Sequence, residues 1–173
     1  MKRFCLLTTI LILVSAAAFG QRYTSGRGTA ETTLKGKKIS IDYGRPQMHG
    51  RKVYGELVPL GQVWRTGANK ATHITTDGDI VIGGTTVPKG TYTLFTVPSA
   101  NGWKLIVNKV TGQWGIPYKP EYEKEELARI DMKVSPLSTP VEEFTIGFTP
   151  AGSDAMLNMD WEKTRASVKV SAK

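Results

Sequence analysis

The densest group of chemistry-bearing residues lies between Gly61 and His73, which reads GQVWRTGANKATH and sets Trp64, Arg65, Asn69 and His73 around a Thr66-Gly67-Ala68 bend. A guanidinium offers a planar fork of donors matched to carboxylate or phosphate, an asparagine amide both donates and accepts, and an indole presents a flat apolar face. Together they could hold an anion or a sugar, and loops on rigid scaffolds carry function disproportionately. A structural reading uses the same residues differently: Trp64 enters the core, Arg65 pairs with a buried acid and Asn69 caps a bend. A second group, Asn108 to Tyr118 (NKVTGQWGIPY), places Trp114 and Tyr118 on either side of a Gly-Ile-Pro bend. These aromatics could stack on sugar rings. Closing the end of a β scaffold as a plug is the use favoured by the apolar area they carry.

Other chemistries find little support. His49 falls in a surface loop and His73 at the start of an alternating strand, and they do not form a zinc-ligating pair, so no metal site is expected. No glycine-x-serine-x-glycine elbow occurs, and Ser25 and Ser153 lie in loops rather than in strand-to-helix turns. Asp77 and Asp79 flank Gly78 without the further oxygen ligands of a calcium loop. Glu142 and Glu143 are adjacent, so in a strand they face opposite sides. His73 near Asp42 or Asp77 could act as a general base, although a hydrogen-bonded structural histidine satisfies the same pattern. No cofactor motif is present.

The elements that must position these residues read as strands. From Thr29 onward, short stretches rich in Thr, Val, Ile and aromatics are separated by Gly, Pro, Asn and Asp. Lys38 to Tyr43 alternates polar and apolar residues with period two. Further strands are expected at 71–76, 79–82, 92–97, 103–108, 129–134, 141–149, 156–161 and 167–170. Asp77-Gly78, Gly83-Gly84, Pro88-Lys89-Gly90 and Asn101-Gly102 supply turn chemistry. Their regular spacing predicts a meander in which each strand pairs with its neighbour. Pro120 to Ile130 carries first-turn proline, early acids and a Glu125–Arg129 spacing that fits a short helix. The expectation is a single all-β domain, an antiparallel sandwich or flattened barrel, with at most one short helix near 120–130.

Ahead of it, Lys2 and Arg3, the apolar run Phe4 to Val14 and the small residues Ser15 to Ala18 have the form of a signal peptide, with cleavage expected after Gly20. The apolar run is shorter than the roughly 20 residues of a bilayer-spanning helix. Cys5, the one cysteine, lies at the front of that run rather than at a lipidation position, and cleavage removes it. The mature domain, 21–173, then has no thiol for disulfides, nucleophiles or cysteine-rich metal sites. Its 23 Lys and Arg, less Lys2 and Arg3, leave 21 against 15 Asp and Glu, a net +6. A charge of that size favours anionic partners. The basic residues are nevertheless scattered; Lys35, Lys37 and Lys38 flank Gly36 in a hairpin turn, and nucleic acid is not an expected partner outside the cytoplasm.

The segments ISIDYGRP, GRKVYGELVPLGQVWRTGANKATHI, VIGGTTVPKGTYTLFTVP, WKLIVNK with WGIPY, FTIGF and LNMDWE together resemble the exported bacterial family called domain of unknown function 2911, over about residues 27 to 170. The resemblance implies a Gram-negative, exported protein, joined to helical repeats in some longer relatives. It implies no activity and no catalytic residues. Its most recognisable stretch is Trp64, Arg65, Gly67, Ala68 and Asn69. Three functions follow as expectations: a non-enzymatic binding module for a polar or anionic ligand such as a glycan, gripped by Trp64, Arg65, Asn69, His73, Trp114 and Tyr118; a small metal-independent hydrolase or lyase with His73 or Asp42 as base; or a structural component of the envelope. The surroundings of Arg65 separate a site from a scaffold, because a buried arginine in a scaffold is paired with an acid.

Overall fold

The computed structural model describes residues 24–173; the expected signal segment, 1–20, and Cys5 with it, lies outside the described residues. Alternation of side chains builds the first strands. In β2 (Lys37–Arg45), Ile39, Ile41 and Tyr43 are buried while Lys38 and Asp42 face solvent. It pairs with β1 (Gly26–Leu34) through the Lys35-Gly36 turn, whose residues both have positive φ (48° and 78°). A right-handed strand twist favours that turn. The remaining strands are β3 (Thr72–Thr76), β4 (Ile80–Ile82), β5 (Thr85–Val87), β6 (Gly90–Val97), β7 (Trp103–Asn108), β8 (Glu126–Ala151) and β9 (Asp154–Ala172). All pair antiparallel in one sheet of order β1-β2-β3-β6-β7-β8-β9-β4-β5. Among the described residues no helix is long and apolar enough to cross a membrane.

The all-β antiparallel expectation holds, with one short helix, α1 (Pro120–Glu123), where a helix was expected. Three expectations change. The helix does not reach Ile130, because Glu126 onward joins β7 as the start of β8; Arg129 pairs with Glu126 and Glu123 rather than forming the expected Glu125 pair. The four segments expected from Arg129 to Val170 are two long strands, 26 and 19 residues, with register shifts in β8 between Pro136 and Thr145. The meander is also broken: β4 and β5 leave β3 and pair at the far edge, on the end of β9. Gly83 and Gly84 (φ 53° and 88°) form the expected β4–β5 hairpin, whereas Asp77-Gly78 is a crossing between distant strands, held by the Asp77 carboxylate accepting from Lys38 N at 2.8 Å. Strands β1 and β5 are elements that local pattern did not mark.

The sheet coils around one apolar cluster without closing into a barrel. Past the end of β2, Phe144 N donates to Pro46 O and Met48 N to Glu142 O, both at 2.9 Å, and a single bridge joins Gln47 to Glu143. Phe144, fully buried, packs edge-on to Tyr43, Trp64 and Trp161 with centroids 5.9, 5.0 and 5.8 Å away. It therefore couples β2, the loop after it, β8 and β9. Truncating a fully buried phenylalanine costs about 3–5 kcal/mol through lost burial and the cavity left behind. Phe144→Ala is expected to lower the melting temperature by roughly 10 °C, and Phe144→Leu by less than half as much. Thermal denaturation followed by circular dichroism measures both; equal melting of the alanine variant and the parent would contradict this account of the core.

Candidate functional site

The long connection from β2 to β3 carries the Trp64–Asn69 stretch, and backbone contacts fix where it lies. Trp64 exchanges both backbone hydrogen bonds with Thr96 of β6 (2.8 and 2.9 Å), so the segment continues the β3–β6 ladder past the first residue of β3. Thr66 is fully buried with φ 55°, a conformation unfavourable for a β-branched residue. Its hydroxyl donates to Thr96 Oγ1 at 3.1 Å, and Thr72 Oγ1 donates to its carbonyl at 2.7 Å, which holds the bend in place. On the other side, Gly44 of β2 lies so close that a Cβ there would overlap the carbonyl oxygen of Ala68.

Trp64 is 8% exposed, stacks on Trp161 (5.9 Å, 17° between planes) and meets the edge of Phe144. The scaffold reading holds for this indole. Arg65 is different. Its Nη1 donates to the Asn69 carbonyl at 2.9 Å and its guanidinium carbon lies 5.9 Å from the Trp114 ring centroid. No carboxylate among the described residues pairs with it. Burial lowers its proton affinity, yet a guanidinium so far above neutrality keeps its charge. Gly115 makes the arrangement possible: a Cβ there would come within 2.9 Å of Arg65 Cβ and 3.1 Å of Ala71 Cβ, so only glycine lets the 109–119 loop lie against this stretch.

Arg65 borders a cleft of about 570 Å³. Gln47, His49 and Arg51 line it from the segment after β2, Leu57 and Ile116 from the two loops, and Trp64 and Trp161 from the core. None of the residues lining it is Asp or Glu. Arg51 is held in place by bonds to the carbonyls of Met48 and Gln47, each 2.9 Å. A second, adjoining cleft of about 800 Å³ shares Leu57, Trp64 and Ile116 with the first, continues over Pro59, Val63 and Pro117 and reaches Glu123 and Arg129. Leu57 and Ile116, which line both clefts, and Leu60 and Trp114 (56% exposed), on the same two loops, are four of the five exposed large hydrophobic residues among those described. An apolar patch with a polar interior marks a binding surface more often than a solvated one.

The structure therefore brings together Trp64, Arg65 and Trp114, and sets Tyr118 on the second cleft. Tyr118 is also the expected plug, though over a face of the sheet: its ring meets Phe95 at 4.8 Å, and its hydroxyl donates to Glu126 at 2.7 Å and accepts from Asn108 Nδ2 at 3.2 Å. Burial and the bond to Glu126 push its ionisation well above the ordinary range. Trp114 does not plug; it stands exposed beside Arg65. Asn69 and His73 line neither cleft. Asn69 adopts φ 62° and donates to Ser25 O at 3.3 Å, tying down the start of the described chain. His73 Nε2 accepts from Gly112 N at 3.3 Å and so anchors the 109–119 loop to β3. Gln47, Arg51, Leu57 and Ile116 complete the cleft and carry no motif. The two leucines of GELVPLG, Leu57 and Leu60, set between turn-forming glycines, are the one local sign that could have drawn notice.

An open antiparallel sheet with a basic, apolar-rimmed cleft between two long loops is the class of protein these features define. Residues 25–170 match the family model described as "Protein of unknown function (DUF2911)", and the chain belongs to that family. Among curated proteins and solved structures, none matches it.

Two measurements check this geometry. Gly44→Ala forces the Ala68 turn off β2 and is expected to cost about 1–3 kcal/mol, read as a lower melting temperature, whereas Gly147→Ala, with open space around it and no left-handed backbone, is expected to melt like the parent. The second concerns His73, whose burial lowers its proton affinity despite the opposing pull of Asp42. The unfolded chain then binds the extra proton, so stability is complete above about pH 6.5 and falls as pH drops below it. His73→Gln is expected to flatten that acid-side loss; an unchanged pH profile of melting would show that His73 is not its source.

Proposed function

We propose that this protein is an exported, non-enzymatic binding module whose basic cleft holds a polar, anionic ligand, an acidic glycan being one example. The observation that carries the reading is Arg65: a half-buried guanidinium on a cleft, braced by a backbone carbonyl and an indole, with no carboxylate beside it among the described residues. Removing charge from water is costly unless an opposite charge compensates it, and a bound anion would supply the compensation. The lack of Asp and Glu among the lining residues supports the same sign of ligand. His73, considered above as a base, uses Nε2 to hold Gly112 and lines neither cleft, which supports binding over hydrolysis. Export rests on Lys2, Arg3 and the apolar run after them.

The reading is tested by titrating acidic and neutral glycans and small carboxylates and phosphates against parent, Arg65→Ala and Arg65→Lys proteins. Loss of a charge-assisted fork lowers affinity for anions about ten- to a hundredfold. Lysine, a point charge without the fork, restores part of it. Trp64 is unsuited to this test because it is a core residue. If Arg65→Ala melts like the parent and binds the same anions equally well, the reading fails.

A further inference from the structure

The anionic reading leaves the rest of the ligand open, and the two clefts constrain it. Recognising a sugar's hydroxyls requires acceptors as well as donors. Arginine has no acceptor, and among the residues lining the first cleft only Gln47, Thr24 and Ser25 bring side-chain oxygens. The part of the lining shared by the two clefts is instead apolar. Leu57, Trp64 and Ile116 form a wall common to both clefts, and Pro59, Val63 and Pro117 continue it away from Arg65 towards the paired Arg129 and Glu123. Leu57, Ile116 and Trp114 are exposed although each has an apolar side chain to bury. Trp114 turns its ring towards the Arg65 guanidinium, so a head group on that cation would leave its tail beside the indole and the Leu57–Ile116 wall.

We infer that the ligand is an amphipathic anion, with one carboxylate or phosphate head on Arg65 and an apolar body laid along Leu57 and Ile116 into the second cleft. This rests on the binding reading above and goes further by assigning the chemical class. Charge complementarity selects the head, because Arg65 borders a cleft with no Asp or Glu among its lining residues and has no carboxylate partner among the described residues. The apolar wall selects the body: every methylene it removes from water strengthens binding about three- to fourfold.

The test is calorimetric titration of the purified protein, below micelle concentrations, with hexanoate, octanoate and decanoate, with decyl phosphate, with decanol, and with glucuronate and inorganic phosphate. Affinity is expected to rise steeply along the carboxylate series, with decanoate or decyl phosphate binding at least about tenfold more tightly than glucuronate, phosphate or decanol. The comparison of decanoate with decyl phosphate decides between a fatty-acid-like and a phospholipid-like head. Arg65→Ala is expected to reduce decanoate binding to that of decanol. Leu57→Ser combined with Ile116→Ser, both at exposed positions, is expected to remove the chain-length dependence while the melting temperature stays at the parent value. Glucuronate binding as tightly as decanoate, in an Arg65-dependent way, would overturn the amphiphile and keep the anion-binding module. Decanoate binding unaffected by Arg65→Ala would overturn the assignment of the head. No binding of any anion would overturn both readings.

Discussion

The site depends on where Trp64 is held. Its backbone is paired with Thr96 of β6, and its ring stacks on Trp161 and meets Phe144 edge-on, two residues from the two longest strands. One residue thus joins a loop to both arms of the sheet. Successive side chains of an extended segment point to opposite faces. Once the indole is committed to the core, Arg65 is directed away from it, onto the cleft. The following positive-φ bend at Thr66, over-determined by Thr72 and Thr96, returns the chain to β3 and keeps the Asn69 carbonyl under the guanidinium. Strained backbone persists where surrounding contacts impose it, and such positions cluster at functional sites.

An open sheet leaves room for this. Closing nine strands in this order would require the edge strands β1 and β5 to pair, and no ladder joins them. From the end of β2 onto β8 only Gln47 and Glu143 bridge, flanked by two backbone bonds, and β8 shifts register nearby. Trp161 and the residues after β2 consequently face a cleft rather than one another. The two loops that cover the opening are secured by glycines and single polar contacts: Gly44 under Ala68, Gly115 against Arg65, and His73 to Gly112. These contacts exclude larger side chains at the joints while leaving the rim apolar.

Much of the fold was legible because it is local. Ile39, Ile41 and Tyr43 alternate with polar residues, Trp103–Asn108 is bounded by Asn-Gly and a loop, and Gly83-Gly84 admits one kind of hairpin. What was not legible is non-local. β4 and β5 join the end of β9, about ninety residues later in the chain, and no local pattern encodes that edge. Glu125 and Arg129 have helical spacing, but Ala128, Ile130 and Met132 alternate with Arg129 and Asp131, and pairing with β7 outweighs one helical ion pair. In the site, residue types pointed to Trp64 and Arg65 but could not divide them between core and cleft. Leu57 and Ile116 were invisible because isolated apolar residues in loops are common, and only their convergence in space gives them meaning.

Arg65 and the exposed rim together explain each other's presence. An uncompensated guanidinium beside solvent could be quenched by one nearby acid, and an apolar rim could be replaced by polar side chains, either at little cost to a core made elsewhere. Glu143, a short distance along the bridge, is instead paired with Arg45, and Glu123 and Glu126 with Arg129 at the far end of the second cleft. Glu142, beside the cleft wall, spends a carboxylate oxygen on His49 N at 2.7 Å. Arg65 thus has no carboxylate partner among the described residues at one end of the apolar wall, while Arg129 is paired at the other, a polarity that orients a molecule charged at one end only.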